Sequence, residues 1–154
     1  MINPFYVRKI GKPSKESKTD PQKQRVYKME REWIGTVVDT TVPLDKLQGI
    51  ANHACRKLKL KPPSVQAYPG RKGVREFGFS ITGEIFLNSN FHGQNLSVLL
   101  HELAHYICDQ KHPWAEPHGA TYCGVYRKLL ADYRVLPKEG FDAMAKKYKV
   151  SVFT

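Results

Sequence analysis

The densest chemistry in the sequence lies in five residues, His101-Glu102-Leu103-Ala104-His105. On a helix, side chains four residues apart sit one turn above each other, with Cβ atoms roughly 5–6 Å apart. Two imidazoles so placed can converge on one zinc ion at about 2.0–2.1 Å each. Glu102 then points about 100° further round the helix. From there it reaches a water on the metal without ligating the metal itself. Zinc lowers the pKa of such a water toward about 7, and a carboxylate can take its proton during attack on a carbonyl. The H-E-x-x-H pattern on a helix therefore points to hydrolysis of a peptide-like bond, with Glu102 as the base.

A catalytic zinc needs a third protein ligand and an open position. The downstream candidates are Asp109, His112, Glu116 and His118. Asp109 is too near to fold back, and His112 leaves little chain for the reversal. His118 stands at the start of the next expected helix, a rigid place from which to approach the metal, and Gly119 beside it permits close backbone approach. His118 is the expected third ligand, ahead of Glu116 and His112. The pattern H-E-x-x-H-x-x-G-x-x-H is excluded, because Cys108 and Lys111 occupy its Gly and last His positions, and the inverted H-x-x-E-H is absent. A donor for the developing oxyanion should stand nearby; Tyr122, Tyr126 and Arg127, one to three turns after His118, are the candidates. His53 and His92 are isolated and read as ordinary surface histidines.

The elements that must position these groups can be read from periodicity. The motif lies in a helix expected from about Asn95 to about Asp109, with Leu96, Leu99, Leu100, Leu103, Ala104 and Ile107 as its apolar stripe. Another helix is expected over Pro43 to Leu60, ended by Pro62-Pro63. Asp20-Pro21 reads as a helix start, with Asp as cap, leading to about Trp33; an extended run follows over Gly35 to Val38. Strand-like runs occupy Ser64–Tyr68, Val74–Ile81 and Glu84–Asn88, with Thr82-Gly83 suited to a tight hairpin and Pro69-Gly70 to a turn. Helix returns from His118 to about Tyr133 and from Pro137 to about Tyr148. Helices, then a small antiparallel or mixed sheet, then helices make an α+β fold. The expected organisation is a basic irregular segment over 1–19 and one domain over 20–154.

The 154 residues suffice for a core without staples, and 41% hydrophobic with 25% charged residues is a globular composition. No apolar run is long enough to cross a bilayer and no secretory signal is visible. Cys55, Cys108 and Cys123 lack paired spacing, which fits reduced thiols in a cytoplasm. The net charge is +11; the first 32 residues carry nine Lys/Arg against four Asp/Glu. Arg56, Lys57, Lys59, Lys61, Arg71, Lys72 and Arg75 run without an acid until Glu76. Such a surface could attract nucleic acid, although a solvated basic face is the simpler account. This leaves two alternatives to a peptidase: a nucleic-acid-associated protein with a vestigial metal site, and a closed structural zinc site using Cys108 or Cys123.

His101-Glu102-x-x-His105 followed by His118-Gly119-x-x-Tyr122 resembles the minimal zincin core of SprT-like metallopeptidases and of small phage- or actinobacteria-associated metallohydrolases, mainly over residues 84–131. The resemblance implies a minimal zincin-like domain, one catalytic Zn²⁺, and a protein or peptide substrate. It also implies that Glu84, Ile85, Phe86, Leu87 and Asn88 form the edge strand above the metal, where a substrate chain pairs by β-augmentation. Tyr122 stands where those proteins more commonly have Phe. A second, weaker resemblance is to ImmA/IrrE-type peptidases, carried by Glu116, His118, Leu129, Leu130 and Pro137. In those the third ligand is a Glu opening the next helix, a place held here by His118.

Overall fold

The structure is a computed structural model and describes residues 19–37, 40–70, 76–90 and 92–154. Among these the element order is α1 (Lys23–Val37), α2 (Leu44–Lys57), β1 (Ser64–Tyr68), β2 (Gly78–Ile81), β3 (Glu84–Asn88), α3 (Leu96–Lys111), α4 (Ala120–Asp132) and α5 (Lys138–Lys147). The fold is α+β, as expected, with a three-stranded mixed sheet ordered β1-β3-β2. β1 runs parallel to β3 with Val65 opposite Ile85, and β2 runs antiparallel to β3 with Phe79 opposite Phe86. Gly83, at φ +74°, closes the β2–β3 hairpin, and Gly70, at φ +78°, makes the turn after β1.

This order overturns one expectation. Glu84–Asn88 is the central strand, hydrogen-bonded on both sides, and cannot accept a third chain. Among the described residues the strand at the edge of the sheet that packs against the helix of the motif is β2. Gly78 lets that helix approach closely: a Cβ there would lie 2.6 Å from the Phe86 carbonyl oxygen and 3.3 Å from Val98.

The core is centred on α3. Leu99, Leu100, Leu103 and Ala104 are fully buried, packed with Leu47, Ala51 and Cys55 of α2, Ile85 and Leu87 of β3, and Leu130 of α4. Asn95 caps α3, accepting a hydrogen bond from the Val98 N–H at 3.0 Å. α1 adds Val26, Met29 and Trp33, the last tilted against Tyr126 and Phe141. Its helical backbone continues through Gly35 to Val37, where an extended run was expected; Val38 lies outside the described residues.

Three helices end by one device that sequence reading missed. Lys59, Arg134 and Lys149 take left-handed φ values of 57°, 58° and 56°. The next residue, Leu60, Val135 or Val150, then donates its N–H to the carbonyl five residues back, that of Cys55, Leu130 or Ala145. This is the closing bond of a Schellman motif, with an apolar residue following the reversal. α2 therefore stops ahead of Pro62-Pro63. No helix among the described residues is long and apolar enough to cross a membrane.

Candidate metal centre

α3 presents His101 and His105 on one face, one turn apart, with ring centroids 4.9 Å apart. The loop after α3 returns His118 to the same place, just ahead of Gly119, which caps α4. His105 Nε2 and His118 Nε2 are 3.2 Å apart. One ring nitrogen from each of His101, His105 and His118 lies within 4.8 Å of the others, making a group that could hold a metal ion. Glu102 is buried beside them, its Oε2 4.0 Å from His101 Nε2.

The other ring nitrogens define how the imidazoles are used. His101 Nδ1 lies 2.6 Å from Glu30 Oε2, and His118 Nδ1 lies 2.7 Å from Asp20 Oδ2. A carboxylate only accepts, so Nδ1 of each ring carries the hydrogen. Nε2 of each is then a lone pair aimed at the centre, the arrangement a metal-ligating histidine needs. Burial depresses the His118 pKa below the usual imidazole value; His101 adds to this, while the Asp20 hydrogen bond and charge and Glu30 oppose it. The lowered pKa favours the neutral ring that a metal ligand must be. Three imidazole nitrogens converging beside three carboxylates fit a divalent cation by the chemistry of the donor set.

Asp20 and Glu30 were not identified from the sequence as site residues. Asp20 was read as a helix cap. In the structure α1 begins at Lys23, and both Asp20 oxygens are taken by His118, Oδ1 by its backbone N–H at 3.0 Å and Oδ2 by its ring. Glu30 carried a usable signal. Val26, Met29, Glu30 and Trp33 follow the i, i+3, i+4, i+7 pattern of a helix face, so a carboxylate falls within an apolar stripe. A buried carboxylate requires partners; these are His101 and the Tyr126 hydroxyl, which donates to Glu30 Oε2 at 2.7 Å.

The proposed oxyanion donors are otherwise engaged. Tyr122 stacks on His105, with ring centroids 4.3 Å apart, and its hydroxyl donates to the His101 carbonyl at 3.1 Å. Tyr126 donates to Glu30. Burial above all pushes both phenols well above their usual pKa, so both stay protonated donors to these partners. Arg127 makes a two-pronged pair with Asp142 at 2.7 and 2.9 Å. The aromatic ring beside the histidines that sequence reading missed is Tyr27 of α1, edge-on to His118 at 5.1 Å and 6.2 Å from His101.

The remaining ligand candidates stand apart from the group. Glu116 accepts from Thr19 Oγ1 at 2.9 Å, and His112 packs edge-on against the exposed Trp114. His53 meets the Tyr133 hydroxyl at 2.7 Å. Among the described residues the metal-competent group contains no cysteine. Burial above all raises the Cys108 and Cys123 thiols to about 12. Of the basic run, Arg56, Lys57, Lys59 and Lys61 are exposed at and beyond the end of α2, with Lys57 near Asp132 at 3.9 Å. Arg71, Lys72 and Arg75 lie outside the described residues.

Comparison with known proteins identifies a family. The sequence model of the Peptidase M78 family, described as the IrrE N-terminal-like domain, matches residues 61–153. No curated protein and no solved structure matches the chain. The matched family corresponds to the second of the two resemblances, and the SprT-like one gains no support from it. The match runs from just before β1 to the end of the chain and includes all three histidines and Glu102; α1 and α2 precede it. The chain belongs to the IrrE N-terminal-like family of zincin-type peptidases.

Proposed function

We propose that this chain is a zinc-dependent peptidase in which His101, His105 and His118 hold the ion and Glu102 is the general base. The carrying observation is the convergence of three imidazole nitrogens within 4.8 Å, with the Glu102 carboxylate 4.0 Å from one of those rings. Bound zinc would supply Lewis acidity, making water acidic enough to lose a proton near neutral pH and polarising a substrate carbonyl. Glu102 takes the proton from the attacking water and passes it to the departing amine. Its position next to His101 in the chain keeps it out of the ligand set but beside the converging rings. Peptide substrates pair with the outer side of β2, since β3 is already paired on both sides and Gly78 holds β2 against α3.

Elemental analysis of the purified protein and a peptide-hydrolysis assay test this reading together. Wild type should carry about one zinc per chain. Glu102→Gln should keep the zinc and lose about 10²–10⁴-fold in kcat, the range for losing a general base. Full activity in Glu102→Gln, or a protein with no affinity for zinc, would refute the proposal.

A further inference from the structure

Two of the three histidines are backed by a segment that precedes the family-matched residues. The match begins at residue 61, yet His101 and His118 are each held at Nδ1 by a carboxylate from residues 20–30. We propose that α1 and the turn before it belong to the metal centre, with Asp20 and Glu30 as positioning residues that set the tautomer and strengthen the donation of His118 and His101. The inference rests on the zinc reading above and deepens it.

Three observations carry it. Both contacts are short, at 2.6 and 2.7 Å, as charge-assisted hydrogen bonds are. Glu30 is only 5% exposed, and its Oε2 is shared by His101 Nδ1 and the Tyr126 hydroxyl. Two neutral donors offset the burial of this carboxylate only in part, and a cation held on the far side of the His101 ring would offset more of it through the imidazole. Asp20 grips His118 twice, at the ring and at the backbone N–H, so it fixes main chain and side chain of that ligand together. Tyr27, one turn before Glu30 on the same face, lays its ring against His118. The opposite interpretation is that the carboxylates merely anchor α1. That helix is already anchored by Val26, Met29 and Trp33, all essentially fully buried.

The test measures zinc affinity of the full chain by competition with a chromophoric chelator, alongside thermal unfolding of the metal-free protein. The variants are Asp20→Asn, Glu30→Gln and Val26→Ala, the last loosening the packing of α1 without touching a histidine. Asp20→Asn and Glu30→Gln should each weaken zinc binding about 10–100-fold, the usual effect of losing such a partner. Val26→Ala should lower the unfolding temperature of the metal-free protein and leave zinc affinity within about threefold of wild type. Should Glu30→Gln not fold, Asp20→Asn decides the matter alone, because Asp20 lies in a turn and outside the core. Folded variants that bind zinc like wild type overturn the inference and leave the peptidase reading standing. Equal weakening by Val26→Ala also overturns it, because α1 would then act through packing only. A wild-type protein that does not bind zinc overturns both.

Discussion

Gly93 gives a stringent test of how α3 is seated. It lies just ahead of α3, in a knot of backbone hydrogen bonds. The Gly93 N–H donates to the Asn88 carbonyl at 3.0 Å, the Asn88 N–H donates to the Phe77 carbonyl at 2.8 Å, and the Asn95 N–H donates to the Gly93 carbonyl at 2.9 Å. A Cβ at Gly93 would lie 1.9 Å from the Phe77 oxygen, 2.5 Å from Asn88 N and 2.7 Å from Asn88 O. The first is about 1.5 Å inside ordinary contact, and no rotamer change relieves it, because every obstructing atom is backbone. Gly93→Ala must therefore break at least two of these bonds, at about 0.5–1.5 kcal/mol each. It must also displace the end of the hairpin, an overpacking cost of about 1–3 kcal/mol. The sum is about 2–6 kcal/mol, or a fall of about 5–20 °C in Tm for a chain of this size. Gly49→Ala is the matched control. Gly49 is exposed in the middle of α2 with nothing within 4 Å of the added carbon. There alanine should stabilise by about 0.5–1 kcal/mol. Denaturant unfolding of both variants in the metal-free state makes the comparison. A Gly93→Ala protein within about 0.5 kcal/mol of wild type would show that this packing of backbone does not seat α3. If it does, zinc affinity should fall as well, because His101 begins the second turn of α3 and its 2.6 Å contact with Glu30 tolerates little displacement.

Other consequences can be checked more briefly. Burial pushes the Cys55 thiol up to about 11 and those of Cys108 and Cys123 to about 12. A thiol reagent at pH 8 should therefore not label the native protein, and should label all three cysteines in guanidinium. Labelling of the native protein would show that this part of the core opens. The Arg127–Asp142 pair is on the surface, so Arg127→Ala should cost less than about 1 kcal/mol, and the difference should shrink in high salt. Hydrogen bonding to Arg127 holds the Asp142 carboxyl below its usual pKa, against a small opposing effect of burial. A depressed folded pKa means that the contribution is present above the unfolded value of about 3.9 and is lost as the pH falls through the lower folded value. The stability difference between wild type and Arg127→Ala should accordingly hold from neutral pH to about 4 and vanish on further acidification, read by urea unfolding at each pH.

What was legible in the sequence follows from the range of the interactions that decide it. The apolar stripe of α3 and the i, i+4 histidines within it are local patterns, and both the helix and the facing of His101 and His105 follow from them. His118 could be expected from chain length alone, since few residues after His105 are both able to ligate and far enough along to return. The strand order could not be read this way. The alternation within Glu84–Asn88 shows a strand with a buried face but not which neighbours it takes, and β1 lies 20 residues back in register. Asp20 shows the limit most clearly. Asp-Pro before a helix satisfies every local rule for a cap, yet the carboxylate is committed to a histidine 98 residues away. Glu32, two residues after Glu30, is an ordinary surface acid paired with Lys147 and Tyr148, so composition cannot separate the two. Phase can: Glu30 falls on the Val26–Met29–Trp33 face and Glu32 falls off it. An acid in phase with a core stripe must have either a partner or a cation behind its partner. That rule would have led from Glu30 to a buried donor before any coordinates. It applies to α1 because the helix lies against the histidines along the same face that it packs into the core.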